Sequence, residues 1–321
     1  MIDFMWLLLG LVLLTVGGEA LVRGALAAAK RLGVSPLLAG LVIVGFGTSA
    51  PELVVSLRAV LSNQPEIAMG NVIGSNISNI LLILGVSAMI MPLVASAKCL
   101  QRDGSVLLGA TLLFMGAASF GGLSRIEGIL FLVLLSAYLI WAYRSEREDL
   151  SNPEVAAHLA EVEDATAKPM SVPIIFLATI GGLLMLVGGA DRFLLGAVGI
   201  GRSLGVPDAV IGLTLVAVGT SLPELAVSIV AAIRRHADVA VGNIIGSSIF
   251  NLLCILGVAS TVKPLPLDGR LFAIDQWVLL SATALLLLFL LFGLRLSRLK
   301  GAVLLLVYGA YMATMFGGGY L

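Results

Sequence analysis

Two glutamates, Glu52 and Glu224, are the residues of this chain best placed to do chemistry. Each closes an eight-residue string, Gly45-Phe-Gly-Thr-Ser-Ala-Pro-Glu52 and Ala217-Val-Gly-Thr-Ser-Leu-Pro-Glu224, and the strings lie 172 positions apart inside long apolar segments. An ionised Glu at the centre of a bilayer costs at least about 2.5 kcal/mol. Ser49-x-x-Glu52 also has the spacing of a helix capping box with Pro in the first turn. Such a cap contributes typically about 1 kcal/mol, too little to explain one carboxylate at that depth, let alone two. A bound cation supplies the missing stabilisation.

The neighbouring residues offer it oxygen. Pro51 removes a backbone N–H and Gly45 and Gly47 relax the backbone, so carbonyls from Gly45 to Thr48 leave the helical ladder and need another partner. Hydroxyls come from Thr48, Ser49, Ser75, Thr220, Ser221 and Ser247, and amides from Asn79 and Asn251. Ser75 and Asn79 are four apart and share a helix face, as do Ser247 and Asn251. Hard oxygen donors suit Ca2+, which accepts about six to eight at about 2.3–2.6 Å, whereas transition metals favour the His and Cys absent here. Two negative charges balance one Ca2+ or two Na+, so these ions compete for overlapping positions. The plainer reading of Gly70-x-x-x-Gly74 and Gly242-x-x-x-Gly246 is close helix packing.

The elements that hold these groups belong in a membrane. With 59% hydrophobic residues, 12% charged residues and a mean hydropathy of +1.10, the chain cannot stay dispersed in water. Ten apolar runs are long enough to cross a core of about 30 Å, at 4–28, 34–61, 66–91, 104–121, 125–143, 173–197, 206–233, 238–262, 271–293 and 298–316. The fold expected is an all-α membrane protein of ten transmembrane helices. A first five-helix repeat spans 1–143, a polar linker 144–172, and a second five-helix repeat 173–321. Because five is odd, the second repeat enters from the opposite side, which gives two inverted repeats with the site between them near the midplane. The first run is read as a retained span, since Asp3 stands where a signal peptide carries basic residues. Thirteen basic residues against six favour both termini outside and the linker in the cytosol.

The pair Gly-Thr-Ser-x-Pro-Glu, each followed by Gly-Asn-x-x-Gly-Ser-x-Ile-x-Asn, resembles the two alpha-repeats of the sodium/calcium exchangers in the cation/Ca2+ antiporter superfamily. The match covers 34–92 and 206–264. The resemblance implies that Glu52 and Glu224 clamp Ca2+ together with the carbonyls of Thr48 and Thr220. It places Na+ at Gly45, Ser49, Ser75, Asn79, Ala217, Ser221, Ser247 and Asn251, with the glutamates shared. It also implies a sliding pair made of the first and sixth spans, and three Na+ exchanged for one Ca2+. Relatives often carry Asp where this chain has Asn251, and that Asp accompanies potassium dependence in one branch, so the resemblance points to a K+-independent, electrogenic exchanger in a prokaryotic cell membrane.

Other classes fit less well. A proton-coupled or other cation antiporter remains open, because buried carboxylates take up protons. A channel more naturally surrounds its pore with repeated subunits, and an enzyme lacks a base beside Ser49 or Ser221. Expected partners are small inorganic cations and the lipid bilayer, with no cofactor, no nucleic acid and no required protein partner. Glu19 and Asp191 occupy equivalent places and are candidates for gating, although Arg23 stands four residues after Glu19, an ordinary ion-pair spacing. The acidic run from Glu146 to Asp164 lacks an EF-hand pattern and reads as a solvated linker.

Overall fold

The computed structural model describes residues 2–150, 170–204, 219–267 and 269–317, with backbone alone at 147–150 and 316–317. The chain is mostly helical: α1 Ile2–Leu32, α2 Pro36–Thr48, α3 Ala50–Leu61, α4 Pro65–Ile90, α5 Ser105–Ala118, α6 Arg125–Leu150, α7 Val172–Ser203, α8 Leu222–Ile233, α9 Ala237–Val262, α10 Leu271–Leu291 and α11 Arg298–Gly317. Among the described residues, six helices (α1, α4, the Arg125–Glu146 part of α6, α7, α9 and α10) are long and apolar enough to cross a membrane. The pair α2 and α3, bent by 41°, makes a seventh broken span. Most of the described part of each of the ten expected runs is helical, but only these six or seven qualify as spans among the described residues; the first portion of the 206–233 run lies outside them.

Polarity is arranged inside out, as lipid demands. Phe4, Leu8, Leu11 and Val12 of α1 and Ile129, Leu130 and Val133 of α6 are exposed, whereas Thr48, Ser49, Glu52, Glu224, Asn243 and Ser247 are fully buried. Helices α4 and α9, which carry the serines and asparagines, are the most enclosed of the spans, with 72% and 89% of their apolar windows buried. They are the central posts against which the broken helix packs.

Helices α1 and α7 form a long pair whose backbones touch through glycines spaced seven apart, at Gly10, Gly17 and Gly24 and at Gly182, Gly189 and Gly196. A methyl group at Gly17 would lie 2.8 Å from the Gly182 carbonyl, and one at Gly189 would lie 2.9 Å from the Leu14 amide. Gly188 faces away, with no described atom within 4 Å. We therefore expect Gly189→Val to cost about 1–3 kcal/mol or more, from overpacking two backbones, and Gly188→Val to be neutral. Thermal unfolding in detergent separates the two, and equal melting points would contradict the packing.

Two short antiparallel pairs tie the ends of the bundle, Leu93–Val94 with Arg295–Leu296 and Gly122–Leu123 with Leu265–Pro266. Each joins a segment before the linker to one after it.

One boundary differs from expectation. The polar stretch beginning at Arg144 continues α6 as helix to Leu150, and Glu146 is buried. Its carboxylate accepts from Arg102 Nη1 at 2.9 Å and from the Ser35 amide at 3.2 Å, and lies 3.4 Å from Lys98 Nζ. The solvated reading fails there because buried cations and an N-terminal amide replace water. Residues 151–169 of the expected linker lie outside the described residues.

Candidate functional site: a buried pair of carboxylates

The site begins with two kinks of one shape. Ser49, between α2 and α3, has φ −82° and ψ 5°, and Ser221, before α8, has φ −89° and ψ 8°. Pro51 and Pro223 cannot donate backwards, so the Gly47 and Gly219 carbonyls lose their helical donors at these points. A π segment at Gly40–Gly45 precedes the first kink and loosens the ladder further. Glu52 and Glu224 start the helices that follow, and both are completely buried.

The serines do not cap their own helices. Neither Ser49 nor Ser221 makes a side-chain cap bond. Instead Ser49 Oγ donates to Glu224 Oε1 at 2.9 Å, and Ser221 Oγ to Glu52 Oε1 at 3.4 Å. Each kink thus serves the opposite carboxylate, and the two half-sites interlock.

The posts supply the rest. Ser247 Oγ donates to the Gly45 carbonyl at 2.9 Å, and Thr48 Oγ1 reaches that carbonyl at 3.3 Å, Asn243 Oδ1 at 3.2 Å and Ser247 Oγ at 3.4 Å. Ser75 is buried on α4, at the position corresponding to Ser247. Asn79 and Asn251 sit at the start of π segments, Ser78–Ile83 and Asn251–Ile255. The extra residue per turn shifts these side chains relative to an unbroken helix, a feature frequent at functional sites. Asn251 Nδ2 donates to Asn76 Oδ1 at 3.1 Å.

Several buried atoms have no hydrogen-bond partner among the described residues: Glu52 Oε2, Glu224 Oε2, Thr220 Oγ1, Asn251 Oδ1 and both polar atoms of Asn79. Leaving one such group unpaired costs about 1–3 kcal/mol, and more for a charge. They lie on the two kinks and the two posts, and all but the Asn79 amide nitrogen are oxygens, the atom type a hard cation accepts. Among the described residues no cluster of three or more His, Cys, Asp or Glu exists, so two carboxylates and neutral oxygens are what this centre offers. Ala217 lies outside the described residues.

Glu19 and Asp191 stand apart from this centre. Glu19 pairs with Arg23 at 2.6 Å and with Arg234, just past α8, at 2.8 Å. Asp191 is exposed on α7.

Sequence reasoning passed over a second layer. Asn71 Nδ2 donates to the Glu52 carbonyl at 3.2 Å and to Ser56 Oγ at 2.9 Å; Asn243 Nδ2 does the same to the Glu224 carbonyl and Ser228 Oγ, at 3.2 and 2.9 Å. The signal was available, since Ser56 and Ser228 each follow a glutamate by four residues. Asn243→Ala removes one buried acceptor and two donor bonds and is expected to weaken cation binding at this centre about tenfold, read by titration calorimetry. Unchanged affinity would detach this layer from the site.

A helical membrane protein built round a buried, oxygen-lined pair of carboxylates belongs to the class of cation carriers. A profile of the family described as "Sodium/calcium exchanger protein" matches residues 2–144 and 174–317. The chain belongs to the sodium/calcium exchanger family. The sodium/calcium exchanger MaX1 of Methanosarcina acetivorans is 34% identical over 351 residues, with 98% of this chain and 99% of that one covered. The inner membrane protein YrbG of Escherichia coli is 34% identical, covering 85% and 84%. Among solved structures, the sodium-calcium exchanger NCX_Mj soaked with Na+ and Ca2+ aligns with a TM-score of 0.81 at 33% identity, over 98% of each chain.

Proposed function

We propose that this protein is a secondary active antiporter exchanging Na+ for Ca2+ across a cell membrane by alternating access. One observation carries the reading: two buried carboxylates are each held through one oxygen by a serine of the opposite kink, and the other oxygen of each has no hydrogen-bond partner among the described residues. A divalent cation neutralises the pair; two monovalent cations do so as well, which is the basis of exchange. Family membership supports the identity of the ions.

Glu52, Glu224 and the carbonyls of Thr48 and Thr220 hold Ca2+. Gly45, Ser49, Ser75 and Asn79, with Ala217, Ser221, Ser247 and Asn251, complete the Na+ positions. The recurrence of the same hydrogen bonds 172 positions apart, Asn71 to Ser56 and Asn243 to Ser228, supports two related halves, which we take as inverted repeats of five helices. The glycine-packed pair α1 and α7 suits a body that moves as one against the rest. The excess of basic residues on one side supports an orientation with both termini outside.

Exchange of three Na+ for one Ca2+ moves one charge per cycle, worth about 2.3 kcal/mol per 100 mV, so a negative interior drives Ca2+ out. The test is 45Ca2+ uptake into proteoliposomes preloaded with Na+, K+ or choline, with the pH gradient collapsed. Uptake with internal Na+ alone, stimulated by an inside-positive potential, is the expected result. Uptake that needs a pH gradient would transfer the reading to proton coupling, and uptake with choline inside would indicate a channel. Asn251→Asp adds a third carboxylate and is expected to introduce K+ dependence in the same assay; unaltered Na+, K+ and Ca2+ dependence would remove Asn251 from the site.

A further inference from the structure

Two cavities open side by side on the outer surface of the bundle and share the ring of Trp141. One, of about 360 Å³, runs between α5 and α6 against Val106, Leu113, Leu134 and Ala137 and is almost wholly apolar. The other, of about 370 Å³, is lined by Lys98, Gln101, Arg102 and Ser145 together with Trp141. The charges around the second are layered. Asp103 and Glu146 lie inside, where Arg102 pairs with both, at 2.6 and 2.9 Å. Lys98 is further out, a quarter exposed, with Nζ on the Ser145 carbonyl at 3.0 Å, and Arg144 is exposed one turn beyond Trp141. Among the described side chains the outermost charges here are therefore cations, at the end of α6 from which the linker departs.

We propose that the two cavities form one binding site for an anionic phospholipid, with an acyl chain between α5 and α6 and the phosphate at Lys98 and Arg144. The apolar chamber faces hydrocarbon and the basic one lies where the helix leaves it, the depth at which Trp rings and basic pockets meet head groups. A free anion would use only the second chamber; the shared Trp141 wall makes an amphiphile the fitting occupant. The proposal needs only that the chain spans a bilayer, so it stands or falls independently of ion exchange. It also has a route to the transport site, because Glu146, which shares Lys98, accepts the Ser35 amide that starts α2.

Native mass spectrometry of the purified full-length protein, with phosphatidylglycerol and phosphatidylcholine of identical chains at equal concentration, tests it. Wild type is expected to retain phosphatidylglycerol about fivefold better per engaged cation. Lys98→Gln should remove most of that preference without changing phosphatidylcholine retention; Arg144→Gln gives the same reading if Lys98→Gln fails to fold. Gly109→Phe should reduce retention of both lipids, since Gly109 lines the apolar chamber and a Cβ added there would meet no described atom within 4 Å. Equal retention of the two lipids by wild type, preference intact in both cation variants, or full phosphatidylglycerol retention by Gly109→Phe would each overturn the assignment.

Discussion

Glu52→Gln and Glu224→Gln are each expected to abolish Ca2+ transport while leaving the protein folded. Gln keeps the shape and an acceptor oxygen, so the serine reaching across from the opposite kink still finds its partner. What disappears is one of the two charges that balance the cation. A site then left one charge positive when Ca2+ enters loses on the order of 3 kcal/mol, or about 100-fold in affinity, comparable to breaking a buried ion pair. The effect should be the same from either side, because each carboxylate is held by the other half in one arrangement. Size-exclusion chromatography establishes folding, and 45Ca2+ uptake with internal Na+ reads function. Uptake at the wild-type level by either variant would sink the assignment of these glutamates as the cation site.

The second large effect is expected from a single methyl group. At Gly246, on α9, an added Cβ would lie 2.2 Å from the Leu41 carbonyl oxygen and 2.7 Å from Leu41 Cα, so two backbones would have to part. No rotamer change relieves such a clash. Leu41 belongs to the π segment that ends at Gly45, whose carbonyl accepts from Ser247 Oγ, the next residue along α9. Gly246→Ala should therefore lower the melting temperature by on the order of 5–10 °C and weaken Ca2+ binding at the same time. A variant that melts like wild type would mean that the broken helix and its post are less tightly apposed than the structure has them. Loss of stability with Ca2+ affinity unchanged would mean that this apposition does not set the ligand geometry.

Much of this architecture was legible in the chain. Apolar runs report the environment a segment must face, and several described helices begin and end close to them, as at Pro65–Ile90 against 66–91 and Ala237–Val262 against 238–262. The kink at Ser49 falls where Gly45, Gly47 and Pro51 weaken the helix, because the cause is local: a missing N–H and a permissive backbone. The burial of Glu52 and Glu224 was also evident, since a carboxylate inside an apolar run has few reasons to be there.

Partnership was decided only by the tertiary structure. From sequence, Ser49 could cap its own helix or reach elsewhere; folded, it donates to a glutamate 175 positions away. Glu19 had an obvious partner in Arg23 and acquired a second in Arg234. Glu146 read as part of a solvated linker until Arg102 and Ser35 were brought against it. Asn71 and Asn243 were given no role from sequence, yet each fastens a glutamate carbonyl. The physical reason is common to all four. Spacing along a chain records which solvent a residue tolerates and how its own helix turns. A hydrogen bond in a dry interior is chosen by whichever donor the packing of distant segments delivers, and no local pattern encodes that.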